Sequence, residues 1–167
     1  LRLQALYDSM TQGFVICRAI RDPAGRLVDY WLTEANPAFI QGSPGAGAML
    51  GRRVLEVVPE IPAVWLEICD EVLTTGKPGK YEYWSEPAGR WLEAYITRMG
   101  PDEMAQLFVD VTQRKLAEQR YKDLFDELNH RVENNLTIIS SLLTIQARTA
   151  SPRARDELLK AVGRIDT

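Results

Sequence analysis

Short apolar runs separated by Gly and Pro fill the chain up to about residue 112, and a helical apolar period replaces them afterwards. Runs bounded by turn residues are typical of strands, whereas apolar steps of three and four with little Gly or Pro are typical of an amphipathic helix. We therefore predict two domains, at 1–112 and 113–167, joined without a flexible linker.

The first domain carries the signals of a sheet with helices. We predict strands at 14–20, 27–33, 80–85, 91–99 and 104–111, a turn at 22–25, and helices at 1–10 and 62–75. The segment 36–51, rich in Gly, Pro and Ala, predicts only short helical pieces. This order predicts an α+β fold, an antiparallel five-stranded sheet with helices on one face.

The second domain is predicted to be an all-α helical hairpin. Its first helix starts at Thr112 or Gln113, reaches about Arg148, and carries one apolar stripe: Leu124, Leu128, Val132, Leu136, Ile139 and Leu143. Ser151-Pro152 predicts the start of a second helix that is still incomplete at Thr167. Such a stripe needs partner helices, so we expect a symmetric homodimer with a four-helix bundle.

Composition excludes several classes of protein. The net charge is −3 with mixed signs, which argues against nucleic-acid and membrane-surface partners. No apolar run reaches the ~20 residues of a membrane span, so we expect a cytoplasmic protein. Leu1 opens the chain without Met, which suggests a piece of a longer protein whose anchoring stays open. Cys17 and Cys69 lack metal-ligand spacing and are expected to be buried thiols, so no metal site is predicted.

The single histidine, His130, is the main candidate for chemistry. At ~100° per residue it lies about 200° from Leu128 and from Val132, so it faces away from the apolar stripe. A neutral imidazole supplies a nucleophilic nitrogen near neutral pH. Glu127 or Glu133 can orient the other ring nitrogen. From position alone, an inert solvated histidine is the alternative.

The residues around His130 resemble the phosphoacceptor box of the HisKA_2 and HWE histidine kinases, which reads His-Arg-x-Lys-Asn-Asn-Leu. The chain reads His130-Arg131-Val132-Glu133-Asn134-Asn135-Leu136. The resemblance implies that His130 accepts the phosphoryl group, that Arg131 belongs to the site, and that Asn134 positions water for the reverse phosphatase reaction. Glu133 departs from the family Lys and reverses a charge one turn from the histidine.

The first domain resembles a PAS sensor domain. The resemblance rests on a series of short motifs in the expected order: Gly13-Phe14, Asn36-Pro37-Ala38-Phe39, Leu50-Gly51-Arg52-Arg53, Thr75-Gly76-Lys77-Pro78 and Asp110-Val111-Thr112-Gln113-Arg114-Lys115. The last of these resembles the signal-exit motif of PAS domains. We expect Thr112 to cap the following helix and Asp110 to tie down the end of the strand.

The ligand of such a sensor is not specified by the sequence. Val54 stands where flavin photosensors carry their reactive Cys, and His130 lies outside the domain, which argues against a photoreactive flavin and against His-ligated haem. Core packing and cross-strand pairing are the favoured roles of the aromatic residues, and lining a small-molecule cavity is the alternative. These residues are Tyr30, Trp31, Trp65, Tyr81, Tyr83, Trp84, Trp91 and Tyr95.

Together the resemblances imply a sensor histidine kinase of a two-component system. The parent protein is expected to use ATP and Mg²⁺ in a domain after Thr167, and to pass the phosphoryl group from His130 to an Asp of a response-regulator receiver. This chain alone is expected to be inactive. The alternatives are a non-catalytic phosphotransfer, scaffold or phosphatase protein, and a plain PAS ligand-binding and dimerisation module.

Overall fold

The computed structural model describes residues 2–42 and 44–165, except for the side chain of Leu3. The helices are α1 (Arg2–Ser9), α2 (Pro37–Gly42), α3 (Val54–Val57), α4 (Ala63–Thr75), α5 (Thr112–Thr149) and α6 (Pro152–Ile165), with a 3-10 turn at Ala46–Met49. The strands are β1 (Gly13–Arg21), β2 (Leu27–Ala35), β3 (Gly79–Ser85), β4 (Arg90–Gly100) and β5 (Glu103–Asp110).

The chain divides into two compact units, Leu1–Lys115 and Leu116–Thr167, so the first turn of α5 belongs to the first unit. The predicted strands, the helix before Gly76 and the two C-terminal helices are all present. The sequence did not indicate α3, because four residues are too few to show a helical period. The expected continuation of the second helix to Thr167 lies outside the described residues.

The sheet of the first unit is antiparallel with strand order β2-β1-β5-β4-β3. Helix α4 packs against β2, β3 and β4, and α2 packs against β1. The core therefore lies on one face of the sheet, where alternate strand residues meet the helices. Its fully buried members include Val15, Cys17, Cys69, Ile96 and Met104.

Two turns follow directly from residue type. Gly25 closes the β1–β2 hairpin at a φ of 83°, and its N–H donates to the carbonyl of Asp22 at 2.9 Å. Gly76 ends α4 at a φ of 75°, with its N–H donating to the carbonyl of Val72 at 2.9 Å. Only glycine adopts this left-handed conformation at little cost, which is why both chain reversals were visible in the sequence.

Asn36 explains why an Asn-Pro-Ala-Phe motif sits between β2 and α2. Its side chain is fully buried, and its Oδ1 accepts the backbone N–H groups of Phe14 at 2.9 Å and Phe39 at 3.0 Å. Its Nδ2 donates to the carbonyl of Gln12 at 2.9 Å. One amide thus satisfies three backbone groups, two at the start of β1 and one in α2, which locks these two segments together.

Candidate functional site

The predicted phosphoacceptor lies on the exposed surface of α5. The side chain of His130 is 80% exposed, and its Nδ1 lies 3.8 Å from Oε2 of Glu133. Glu127 instead accepts a hydrogen bond from Arg131 at 2.6 Å. Of the two carboxylates that the sequence offered, Glu133 is therefore the one beside the imidazole. Its position at Nδ1 leaves Nε2 as the free nitrogen.

The remaining residues of the predicted site share this part of α5. Asn134 lies one turn after His130 and is exposed. Thr137, one turn further, donates its hydroxyl to the carbonyl of Glu133 at 2.9 Å. This intrahelical bond ties the backbone of Glu133 to the next turn. The helix itself fixes the spacing of His130, Glu133 and Asn134, because positions i, i+3 and i+4 are neighbours on a helix surface.

The apolar stripe of α5 is also exposed in the single chain. Leu128 and Val132, which flank His130 in sequence, are 52% and 54% exposed, and Leu124, Leu136 and Ile139 are exposed as well. Exposed apolar residues in a continuous row mark an interaction surface. The exposure of His130 is thus shared with its neighbours, and only its polar surroundings distinguish it from them.

Hydrogen bonds hold both residues of the predicted signal-exit joint, Asp110 and Thr112, in place. Oδ1 of Asp110, the last residue of β5, accepts the backbone N–H of Thr112, the first residue of α5, at 2.9 Å. The Thr112 hydroxyl accepts the backbone N–H of Trp91 at 3.0 Å rather than an N–H of its own helix. Hydrogen bonds from Thr112 lower the pKa of Asp110 below its usual value, with a smaller contribution from Arg90. The cap predicted for Thr112 is thus supplied by Asp110.

An ion-pair cluster at the start of α5 was missed in the sequence. Nη2 of Arg114 lies 2.8 Å from Oε2 of Glu93 and 2.5 Å from Oε1 of Glu82. Lys115 also pairs with Glu82, and Nζ of Lys80 lies 2.7 Å from Glu93. Lys80 and Glu82 lie two positions apart on β3, and Glu93 lies opposite Glu82 on the paired strand β4. Strand alternation predicts that Lys80 and Glu82 share a face of the sheet, but the contact with Arg114 depends on where α5 leaves the sheet.

Glu93 is the buried centre of this cluster. Its side chain is 3% exposed, and it accepts hydrogen bonds from Lys80, from the hydroxyl of Tyr95 and from Arg114. These donors, Lys80 first, hold the pKa of Glu93 far below its usual range. A buried carboxylate with several charged donors stays ionised. The cluster therefore fixes the first turn of α5 to the outer face of the sheet.

A cavity of about 720 Å³ opens within the first unit. Its lining includes the aromatic side chains of Phe39, Trp65, Tyr81, Tyr83 and Phe108. Trp65 donates from Nε1 to the buried Tyr30 hydroxyl at 2.9 Å, and burial raises the pKa of that hydroxyl well above its usual value. The lining also includes the buried amide of Gln106, whose Nε2 lies 3.8 Å from Cys69 Sγ.

The aromatic residues thus divide between core and surface. The prediction of core packing is confirmed for Tyr30 and Trp65, and that of cross-strand pairing for Trp84 and Trp91, whose ring centroids lie 6.1 Å apart. Trp31 and Tyr95 are each 40% exposed and do not line the cavity. Packing and cavity lining are not exclusive, since Trp65 belongs to both.

No helix among the described residues combines the length and apolar character that a membrane crossing requires. Within the same residues, no group of three or more His, Cys, Asp or Glu side chains is placed to hold a metal ion.

Comparison with solved structures identifies the class of fold. The structure of an RNA-binding Light-Oxygen-Voltage receptor superposes with a TM-score of 0.52 at 18% identity, covering 78% of this chain. This chain spans 37% of that protein. A sensory box sensor histidine kinase from Vibrio cholerae gives a TM-score of 0.47 at 17% identity, covering 66% of this chain and 90% of that one. The first of these similarities supports a PAS-like fold.

Comparison with protein families identifies the C-terminal segment. The family model HisKA_2, described as histidine kinase, matches residues 127–167. The match begins at Glu127 and includes His130, Arg131, Glu133 and Asn134. Residues 127–167 are therefore similar to HisKA_2 histidine kinases, and they follow a domain with a PAS-like fold. No curated protein matched the sequence.

Proposed function

We propose that this chain is the sensor and phosphoacceptor part of a histidine kinase in a two-component system. The observation that carries the proposal is the family match over 127–167, a range that includes His130, together with the exposure of the His130 side chain on α5. His130 accepts the γ-phosphoryl group of ATP at Nε2, and Glu133 orients the ring through Nδ1. An ATP-binding domain with Mg²⁺ is supplied by a longer parent protein.

The phosphohistidine then passes its group to an aspartate of a response-regulator receiver. Such a transfer requires that two different proteins reach the same nitrogen in turn, and an exposed side chain on a helix meets that requirement. Positioning and charge stabilisation carry most of the catalysis in phosphoryl transfer. Arg131, held by Glu127 at 2.6 Å, is the cation nearest in sequence to the accepting histidine.

The decisive experiment uses the parent protein with its ATP-binding domain, incubated with Mg²⁺ and ATP labelled at the γ-phosphate. We expect acid-labile, base-stable label on the native protein and none on His130→Ala. Gln119→Ala is the matched control, because Gln119 lies about 20° from His130 on the same helix, three turns earlier. Equal labelling of the His130→Ala variant would refute the assignment of His130.

A phosphatase or scaffold function is the second candidate, and Glu133 is the observation that favours it. A carboxylate stands 3.8 Å from the imidazole, at a position where the family pattern has Lys. Its negative charge opposes the approach of ATP phosphates. If the native parent protein takes up no label but Glu133→Lys does, the phosphatase or scaffold reading is favoured. If both label equally, Glu133 does not set the balance.

We further propose a homodimer in which the α5 stripe forms a four-helix bundle with its partner. Full burial of an apolar side chain contributes about 1.5–3 kcal/mol, so several stripe residues per chain suffice for a stable interface. Val132→Glu is expected to convert a dimer to a monomer in sedimentation equilibrium. Gln119→Glu, a charge added outside the stripe, is expected to leave the dimer intact. A native protein that is monomeric at micromolar concentration would refute the proposal.

A further inference from the structure

The cavity of the first unit has the size and lining of a small-molecule site. Its volume of about 720 Å³ lies within the ~300–1,000 Å³ typical of ligand pockets. Seven of its lining residues are aromatic, which suits a planar ligand. The cavity is open to solvent on one side and is not filled by protein side chains, so a small molecule can enter it.

One cationic side chain, Arg90, lies in the wall of this cavity, and its guanidinium group is only partly paired. Nη2 donates to the carbonyl of Gly42 at 2.6 Å, whereas Nη1 lies 3.5 Å from Oδ2 of Asp110. Nε is shut off from solvent and has no hydrogen-bond acceptor among the described residues. Buried N–H groups are nearly always paired in native proteins. The bonding of Arg90 is therefore incomplete, and a shift of its side chain is needed to bring Nε to a further acceptor.

A carboxylate is the group that best matches this deficit. The guanidinium fork pairs with carboxylates through two parallel N–H donors. Three carboxylates already line the cavity, those of Glu60, Glu86 and Asp110, but all three residues are exposed and water weakens their charge. Arg90 is thus the charged group whose bonding a ligand can complete.

We propose that the cavity binds a planar aromatic or heteroaromatic molecule bearing one carboxylate. Its rings lie among Trp65, Tyr83 and Phe108, and its carboxylate pairs with Arg90. This ligand class deepens the proposed sensor role and rests on it only for the consequence in signalling. In signalling, the expected consequence is that the ligand draws Arg90 away from Asp110. The carboxylate of Asp110 accepts the backbone N–H of Thr112, which is the first N–H of α5.

The test measures binding to the full chain by isothermal titration calorimetry, with three probes of one shape. These are 2-naphthoate, the neutral 2-naphthamide and the cationic 2-naphthylmethylammonium. The native chain is expected to bind naphthoate about tenfold more tightly than naphthamide, and the cation least, because charge-assisted bonds are the stronger ones. Arg90→Gln is expected to abolish the preference for naphthoate while naphthamide binds as before.

Arg98→Gln is the matched control, since Arg98 is an exposed arginine of the same strand outside the cavity. It should leave the preference for naphthoate unchanged. Equal affinity of the native chain for naphthoate and naphthamide, a preference for the cation, or no binding of any probe would each overturn the proposal. These outcomes are read on the native chain, so they do not depend on the folding of a variant. No phosphorylation is measured, so a failure here is distinct from a failure of His130 labelling.

Discussion

Replacing Glu93 by Gln tests the ion-pair cluster that holds the start of α5. The substitution keeps the shape of the side chain and removes its charge. Glu93 is almost fully buried and accepts hydrogen bonds from Lys80 at 2.7 Å and from Arg114 at 2.8 Å. After the substitution, both cations face a neutral amide whose NH₂ group cannot accept from either of them.

The expected magnitude follows from burial. Hydrogen bonds to a charged group contribute about 1.5–3 kcal/mol each when buried. The side chains of Lys80 and Arg114 are 51% and 44% exposed, so water screens both pairs and keeps the total loss toward the lower end of that range. We therefore expect Glu93→Gln to lower the free energy of unfolding of the first unit by about 2 kcal/mol.

Urea unfolding followed by tryptophan fluorescence measures this loss. All four tryptophans of the chain lie in the first unit, so the fluorescence reports on that unit. They are Trp31, Trp65, Trp84 and Trp91. Glu67→Gln, an exposed carboxylate on α4, serves as control and should change stability by less than about 0.5 kcal/mol. A Glu93→Gln variant as stable as the control variant would refute the role given to the cluster.

The same residue predicts a dependence on pH. The pKa of Glu93 is lowered by folding, so its carboxylate stabilises the fold fully above the pKa of an unfolded glutamate, about 4.3. Below that pH the unfolded chain binds a proton that the folded chain does not, and stability falls with pH. The difference in stability between native protein and Glu93→Gln should be constant from pH 6 to 8 and shrink below about pH 4.3.

Three further predictions concern the packing of the core and the burial of its thiols. Ile96 is fully buried, so Ile96→Ala should cost about 2–5 kcal/mol in urea unfolding, and a cost below 1 kcal/mol would contradict its place in the core. A Cβ at Gly79 would lie 2.7 Å from Cγ2 of Val72, so Gly79→Ala should lower stability by about 1–3 kcal/mol, whereas Gly100→Ala, with its nearest atom at 3.6 Å, should be close to neutral in the same assay. Burial raises the pKa of Cys17 and raises that of Cys69 to about 12, so neither thiol should react with an aromatic disulfide reagent at pH 8 until the chain is unfolded; rapid reaction of the native chain would contradict their burial.

Much of the fold was predictable because its signals are local. The strands, the helix that ends at Gly76 and the start of α6 at Pro152 follow from alternation, helical period and turn residues within single segments. The one missed helix, α3, is a single turn. The first residue of α3, Val54, is buried. The backbone N–H of Leu55 donates to the buried carboxylate of Asp29 on β2 at 3.2 Å. A contact of that kind leaves no mark on the local pattern.

The grouping of the candidate site residues was predictable for the same reason. His130, Arg131, Glu133 and Asn134 lie within two turns of one helix, and a helix fixes their mutual positions once it forms. The structure added only a choice between two carboxylates, since Glu127 pairs with Arg131 and Glu133 lies nearer the imidazole. A site confined to one element is thus determined by the sequence of that element.

The joint at the start of α5 and the cavity depend on tertiary structure. Glu93 meets Arg114 across 21 positions, and Arg90 meets Gly42 across 48, so no local period relates these pairs. Strand pairing brings Lys80 and Glu93 onto one face, and the packing of α2 beside β1 brings Gly42 to the cavity wall. The sequence by itself determined every helix and strand except α3, and the side chains that each of them presents. Which side chains meet was decided only by the packing of distant segments, because buried charges and cavities arise where separate surfaces come together.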